Sequence, residues 1–205
     1  MIQNRYVFHP IAVVFCCVTL MACSQRAPAS SAPAAARGEA TDTTVPDSVS
    51  TSAPGIARDS LGWLVVDSAA RTVTLELEVT APAAAPSALI NGYRSGGARV
   101  VVPVGWTITW NWRSADPDTT HSLVVMVQRE KIPLEGGRAS FSNAMTRMVT
   151  EGLPAGQSDR STFEAEEAGW YWMLCGVPGH AIKGEWLELR VDPEARTAGI
   201  VLKGN

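Results

Sequence analysis

Gly169-Trp-Tyr-Trp-Met-Leu-Cys175-Gly-Val-Pro-Gly-His180-Ala-Ile-Lys-Gly-Glu185-Trp186 is the stretch on which the reading of the chain turns. It starts as an aromatic and apolar run with the character of a strand, Gly169–Cys175, and passes into a short loop. Gly176, Val177, Pro178 and Gly179 separate the Cys175 thiol from the His180 imidazole, and Pro and Gly there favour a tight turn over a continuing strand. Both side chains can then face one point. A thiolate and an imidazole from one loop, completed by a second imidazole from elsewhere, make the trigonal arrangement of copper electron-transfer sites, with a weak axial fourth ligand. Glu185 stands where that fourth ligand is expected. Two histidines, a cysteine and a glutamate also form an acceptable tetrahedral zinc set.

Outward from this loop, the other cysteines fall away. Residues 1–22 read as a lipoprotein signal peptide, with Arg5 near the start and an apolar run from Ile11 to Ala22 that is too short to span a bilayer. Leu20-Met21-Ala22-Cys23 resembles a lipobox, in which cleavage precedes Cys23 and that cysteine carries the lipid. An ordinary signal peptide cut near Ala22 or Ala27, with Cys23 incidental, is the alternative. Residues 23–57 are an Ala/Ser/Pro/Thr linker too poor in large apolar groups to offset the entropy of ordering. As a coil of about 35 residues it reaches roughly 30 Å. Residues 58–205 form the folded domain.

Cys16 and Cys17 leave with the signal, so Cys175 remains as the free thiol of the domain and no disulfide can form there. An unpaired thiol in an oxidising envelope compartment needs protection, and a bound metal supplies it; a buried, inert cysteine is the alternative. His9 also leaves, so the mature chain keeps His121 and His180, and both fall where ligands are needed. With 205 residues, 46% of them apolar, the chain suits one globular domain with a tail. Its net charge of −3 and lack of a Lys/Arg run exclude a nucleic-acid binder.

From Leu61 onward, short β-rich runs alternate with Gly, Pro, Asn and Asp, the pattern of an antiparallel sandwich. The predicted strands are 63–67, 72–80, 87–91, 99–102, 106–112, 121–128, 161–166, 169–175 and 185–192. In Thr72–Thr80 the apolar Val73, Leu75, Leu77 and Val79 share one face. Residues 140–151 predict a short helix carrying Phe141, Met145 and Met148 on one side, as packing rather than as ligands. No Gly-rich phosphate loop precedes a helix. A hydrolase triad is unsupported, because both histidines are better explained together with Cys175.

The chain resembles the cupredoxins, and specifically the sulfocyanins. One matching stretch is Leu89-Ile-Asn-Gly92 with Gly97, Val100-Val-Val-Pro-Val-Gly-Trp106 and the strand to Trp112. The other runs from Leu153-Pro-Ala-Gly-Gln157 through Tyr171, Cys175, Gly179-His180-Ala181 and Gly184 to Trp186. The resemblance implies an all-β Greek-key sandwich of the cupredoxin type. It also implies one copper per domain on His121, Cys175 and His180, and electron transfer without transformation of a substrate. Redox partners, cytochromes or oxidases, are expected to dock on an apolar collar of Val177, Pro178, Ala181 and Ile182 around His180. A lipid anchor at Cys23 places the protein at the cell envelope, periplasmic or extracytoplasmic, on a membrane.

Two residues depart from the family pattern. Glu185 replaces the axial methionine, and a hard carboxylate favours Cu(II) and lowers the potential if it coordinates; the alternative is that it turns toward solvent or Lys183. Ser122 follows the first histidine where many cupredoxins have Asn, and it can still hydrogen-bond across to the Cys175 loop. A copper-binding, copper-delivery or small-ligand-binding protein is the rival reading. A metal-free envelope domain that keeps the sandwich is a third.

Overall fold

The computed structural model describes residues 56–203. The predicted signal peptide, Cys23 and the linker as far as residue 55 lie outside them. The strands in chain order are β1 Ile56–Arg58, β2 Leu64–Asp67, β3 Thr72–Thr80, β4 Leu89–Ile90, β5 Ala98–Pro103, β6 Thr107–Ser114 and β7 Val124–Val127. They continue as β8 Ser158–Glu164, β9 Gly169–Leu174, β10 Trp186–Asp192 and β11 Gly199–Leu202, with a 3-10 turn at Ala181–Lys183. One sheet runs β1-β2-β3-β6-β8, with β4 also on β3; the other runs β11-β5-β10-β9-β7. Both are mixed, since β3 pairs in parallel with β6, and β5 with β10. This is the all-β sandwich that the family resemblance implies. The purely antiparallel pairing expected from the strand pattern is corrected by these two parallel pairs, each of which joins strands separated by long connections in the chain.

The core lies where the alternation puts it. Val73, Leu75, Leu77 and Val79 on β3 and Ile108, Trp110 and Trp112 on β6 are all buried. The polar positions between them pair across the outer face, Asn111 Nδ2 donating to Glu76 Oε1 and Arg113 to Glu78 Oε2. An aromatic cluster closes the space between the sheets: Trp110 meets Phe163 edge-on at 5.1 Å between centroids, and Phe141 lies 4.8 Å from Tyr171. Such pairs add to the area they bury.

The predicted helix over 140–151 does not form. Asn143 and Met148 have φ of 63° and 52°, in the left-handed region that a right-handed helix cannot contain. The segment instead gives its backbone to the edge of β7: Ser140 N–H donates to Val125 O, Val125 N–H to Ala144 O, and Thr146 N–H to Leu123 O. Phe141 is buried, whereas Met145 and Met148 are exposed, so the spacing of these three side chains does not mark one face. Two strands at the ends, β1 and β11, also go beyond the sequence-based expectation.

Candidate metal centre

Three of the four candidate ligands sit near strand ends at one end of the second sheet, and His180 lies inside the loop between β9 and β10, at the start of the 3-10 turn. His121 lies just before β7 and is held by a backbone pair with Leu153, its N–H 3.1 Å from Leu153 O and its carbonyl 2.7 Å from Leu153 N. Cys175 follows β9, and Glu185 precedes β10. Cys175 N–H donates to Glu185 O at 3.0 Å, which closes the loop between the two strands. Inside that loop Gly179 (φ 84°) and Gly184 (φ 104°) supply left-handed turns, and Gly179 N–H is tied to Leu134 O at 2.7 Å.

The structure brings His121, Cys175, His180 and Glu185 together, their donor atoms all within 4.8 Å of one another. Glu185 Oε1 lies 2.7 Å from His121 Nδ1 and Oε2 lies 3.1 Å from His180 Nδ1, while Cys175 Sγ is 3.6 Å from His180 Nδ1. Glu185 is therefore buried between the two imidazoles rather than turned to solvent or Lys183. The His180 side chain is 17% exposed against 1% for His121, so His180 is the ligand candidate that reaches the surface.

Ser122 braces the cluster. Its hydroxyl donates to Val149 O at 2.6 Å and accepts Gly176 N–H at 2.9 Å, and its own N–H points at Cys175 Sγ at 3.4 Å. Serine thus makes the link to the cysteine loop that the sequence suggests.

Sequence reasoning took Asp116-Pro-Asp-Thr-Thr120 only as a polar turn and missed Asp116. This carboxylate is buried, and its Oδ2 accepts His121 Nε2–H at 2.7 Å and Thr119 Oγ1–H at 2.7 Å, while Oδ1 accepts Asp118 N–H at 2.9 Å. The available signal was an Asx turn placing Asp five residues before a histidine.

The charges of the metal-free centre follow from these contacts. Burial pushes the Cys175 thiol far up, and the nearby Glu185 carboxylate pushes the same way, so the thiol holds its proton until a metal displaces it. Burial opposes the charged forms of His121 and Glu185, but their contact outweighs it: His121 is raised above and Glu185 held below the ordinary value. Burial likewise opposes ionised Asp116, yet Asp118 N–H, His121 and Thr119 bring it down to about 2.

The donor set is one sulfur, two nitrogens and one oxygen. Both imidazoles point Nδ1 inward, and His121, Cys175 and Glu185 are buried. These residues fit copper. The sequence profile of the sulfocyanin (SoxE) domain matches residues 60–198. The chain belongs to the sulfocyanin family. As a sulfocyanin-type chain it falls among the cupredoxin-like blue copper electron-transfer proteins. No curated protein sequence matches it significantly.

Among solved structures, rusticyanin from Thiobacillus ferrooxidans is 18% identical, over 60% of this chain and 82% of that one, with a TM-score of 0.43. Reduced auracyanin from Roseiflexus castenholzii is 22% identical, over 58% of this sulfocyanin-family chain and 97% of that one, with a TM-score of 0.41. The copper-containing nitrite reductase of Thermus scotoductus is 19% identical over 60% of this chain but only 28% of its own length, with a TM-score of 0.43.

Proposed function

We propose that the protein is a mononuclear copper electron carrier, with one copper held by His121, Cys175 and His180 and by Glu185 as the fourth ligand. The observation that carries this reading is the Glu185 carboxylate, buried with one oxygen toward each imidazole. A bound copper would supply a one-electron Cu(I)/Cu(II) couple. The chain's own residues hold the donors on two strand ends and a braced loop, so they move little when the charge changes. His180 is the electron's route to the surface. Around it Val177, Pro178, Ile182 and Leu134 offer an apolar rim for a redox partner, a cytochrome or an oxidase; Ala181, expected in that rim, is buried beneath it. Lipidation at Cys23 would hold the domain at an envelope membrane. No substrate is transformed.

The test is the visible and EPR spectrum of the Cu(II)-loaded protein beside Glu185→Met. The expected result is an intense thiolate-to-copper band in the wild type, with band position and potential both changed in E185M. Absence of the band overturns the carrier reading, and an unchanged E185M removes Glu185 from the ligand set. One observation favours copper delivery or small-ligand binding as a second reading: a cavity of about 250 Å³ reaches His121, His180 and Glu185. Reversible redox cycling separates the carrier from a protein that hands its metal to an acceptor.

A further inference from the structure

We infer that Asp116 is a positioning residue for the metal centre: it fixes His121 as the Nε2–H tautomer and so commits Nδ1 to the metal. The inference rests on the reading of His121 as a ligand.

A neutral imidazole carries its proton on one nitrogen, and only the other can donate a lone pair. At His121 Nε2 the partners are Asp116 Oδ2 at 2.7 Å and Thr119 Oγ1 at 2.9 Å. The Thr119 hydroxyl has its hydrogen committed to Asp116, at 2.7 Å, so it presents only lone pairs to Nε2. Both partners of Nε2 are acceptors. Nδ1 also faces a carboxylate, Glu185 Oε1 at 2.7 Å, so the metal-free ring has an acceptor for a proton on each nitrogen. A metal on the side of Cys175, His180 and Glu185 would displace the Nδ1 proton and leave the one that Asp116 holds on Nε2.

The carboxylate is itself held. Asp118 N–H occupies Oδ1 at 2.9 Å and the Asp116 side chain is 3% exposed, so its orientation toward His121 is fixed from both oxygens. The aspartate, the tight turn after it and His121 form one unit, with carboxylate and imidazole five positions apart in the chain. A carboxylate on the far nitrogen makes a ligating imidazole a stronger donor and locks its ring plane, and loss of such a partner typically costs about 10- to 100-fold in metal affinity. A stronger donor favours Cu(II) over Cu(I).

The experiment compares wild type, Asp116→Asn and Thr119→Val. Asp116→Asn keeps an acceptor oxygen and nearly the same volume, so its fold is checked by near-ultraviolet circular dichroism before metal is added. The proposal expects about 10- to 100-fold weaker Cu(II) binding in D116N. It also expects a higher potential and shifted EPR parameters, with T119V moving the same way by less. In the zinc-loaded wild type, nitrogen-15 NMR should show a slowly exchanging proton on His121 Nε2. A proton on Nδ1, or a folded D116N with wild-type affinity, potential and EPR spectrum, overturns it. Failure of the wild type to bind copper at all would instead overturn the assignment of the site.

Discussion

At the scale of the residue, Ser122 shows how much of the centre's stiffness depends on single side chains. Its hydroxyl joins Gly176, beside the cysteine, to the partly buried Val149 in the irregular segment, and the buried Gly176 N–H loses its partner if the hydroxyl is removed. Ser122→Ala should therefore destabilise the protein by about 1–3 kcal/mol, the usual cost of stranding buried polar groups, as read from denaturant unfolding. The same change should broaden the EPR spectrum of the copper form, because the loop loses its brace. The sequence showed the four ligand candidates because their chemistry is concentrated: one cysteine and two histidines in the mature domain leave few ways to be wrong. Asp116 was hidden because aspartate in a Pro-containing turn is ordinary surface chemistry, and only its burial marks it out.

At the scale of the element, legibility followed water. β3 presents alternating polar and apolar faces, and its span and inward residues could be read directly. β11 could not: Val201 and Leu202 are both exposed on an edge strand, so burial imposes no alternation there. The segment 140–151 misled because Phe141, Met145 and Met148 keep a helical spacing by coincidence while their backbone serves β7. Between strands, Glu188 on β10 lies beside Arg99 on β5 at 2.7 Å and beside Lys203, just past β11, so one carboxylate ties three chain segments of the second sheet. Burial would raise its pKa, but Lys203 and Arg99 outweigh this and hold it below the ordinary 4.5. A depressed pKa in the fold means stability that is present above the unfolded value and lost as pH falls through the folded one. Glu188→Gln should then cost about 1 kcal/mol at pH 7. The difference from wild type should shrink below about pH 4, which urea titrations at several pH values would reveal.

At the scale of the whole molecule, metal and fold are linked, because the four donors come together only when both ends of the loop and the His121 segment are in place. Copper at about a hundredfold excess over Kd should add about 2.7 kcal/mol, equivalent to a rise in Tm of roughly 5–10 °C that a chelator reverses. The sheet order carries a further consequence, for the timing of assembly. β10 pairs in parallel with β5 on one side and antiparallel with β9 on the other, so the middle of its sheet is filled by one of the last strands to leave the ribosome. Until then β5 and β9 are unjoined, and Glu185 has no fixed place. Pairings so distant along the chain form slowly. A chain ending before Trp186 would have all four metal-binding residues and could still pair β7 with β9 and bridge Ser122 to Gly176, which set His121 beside Cys175, but it would lack the strand that fixes Glu185 between the imidazoles.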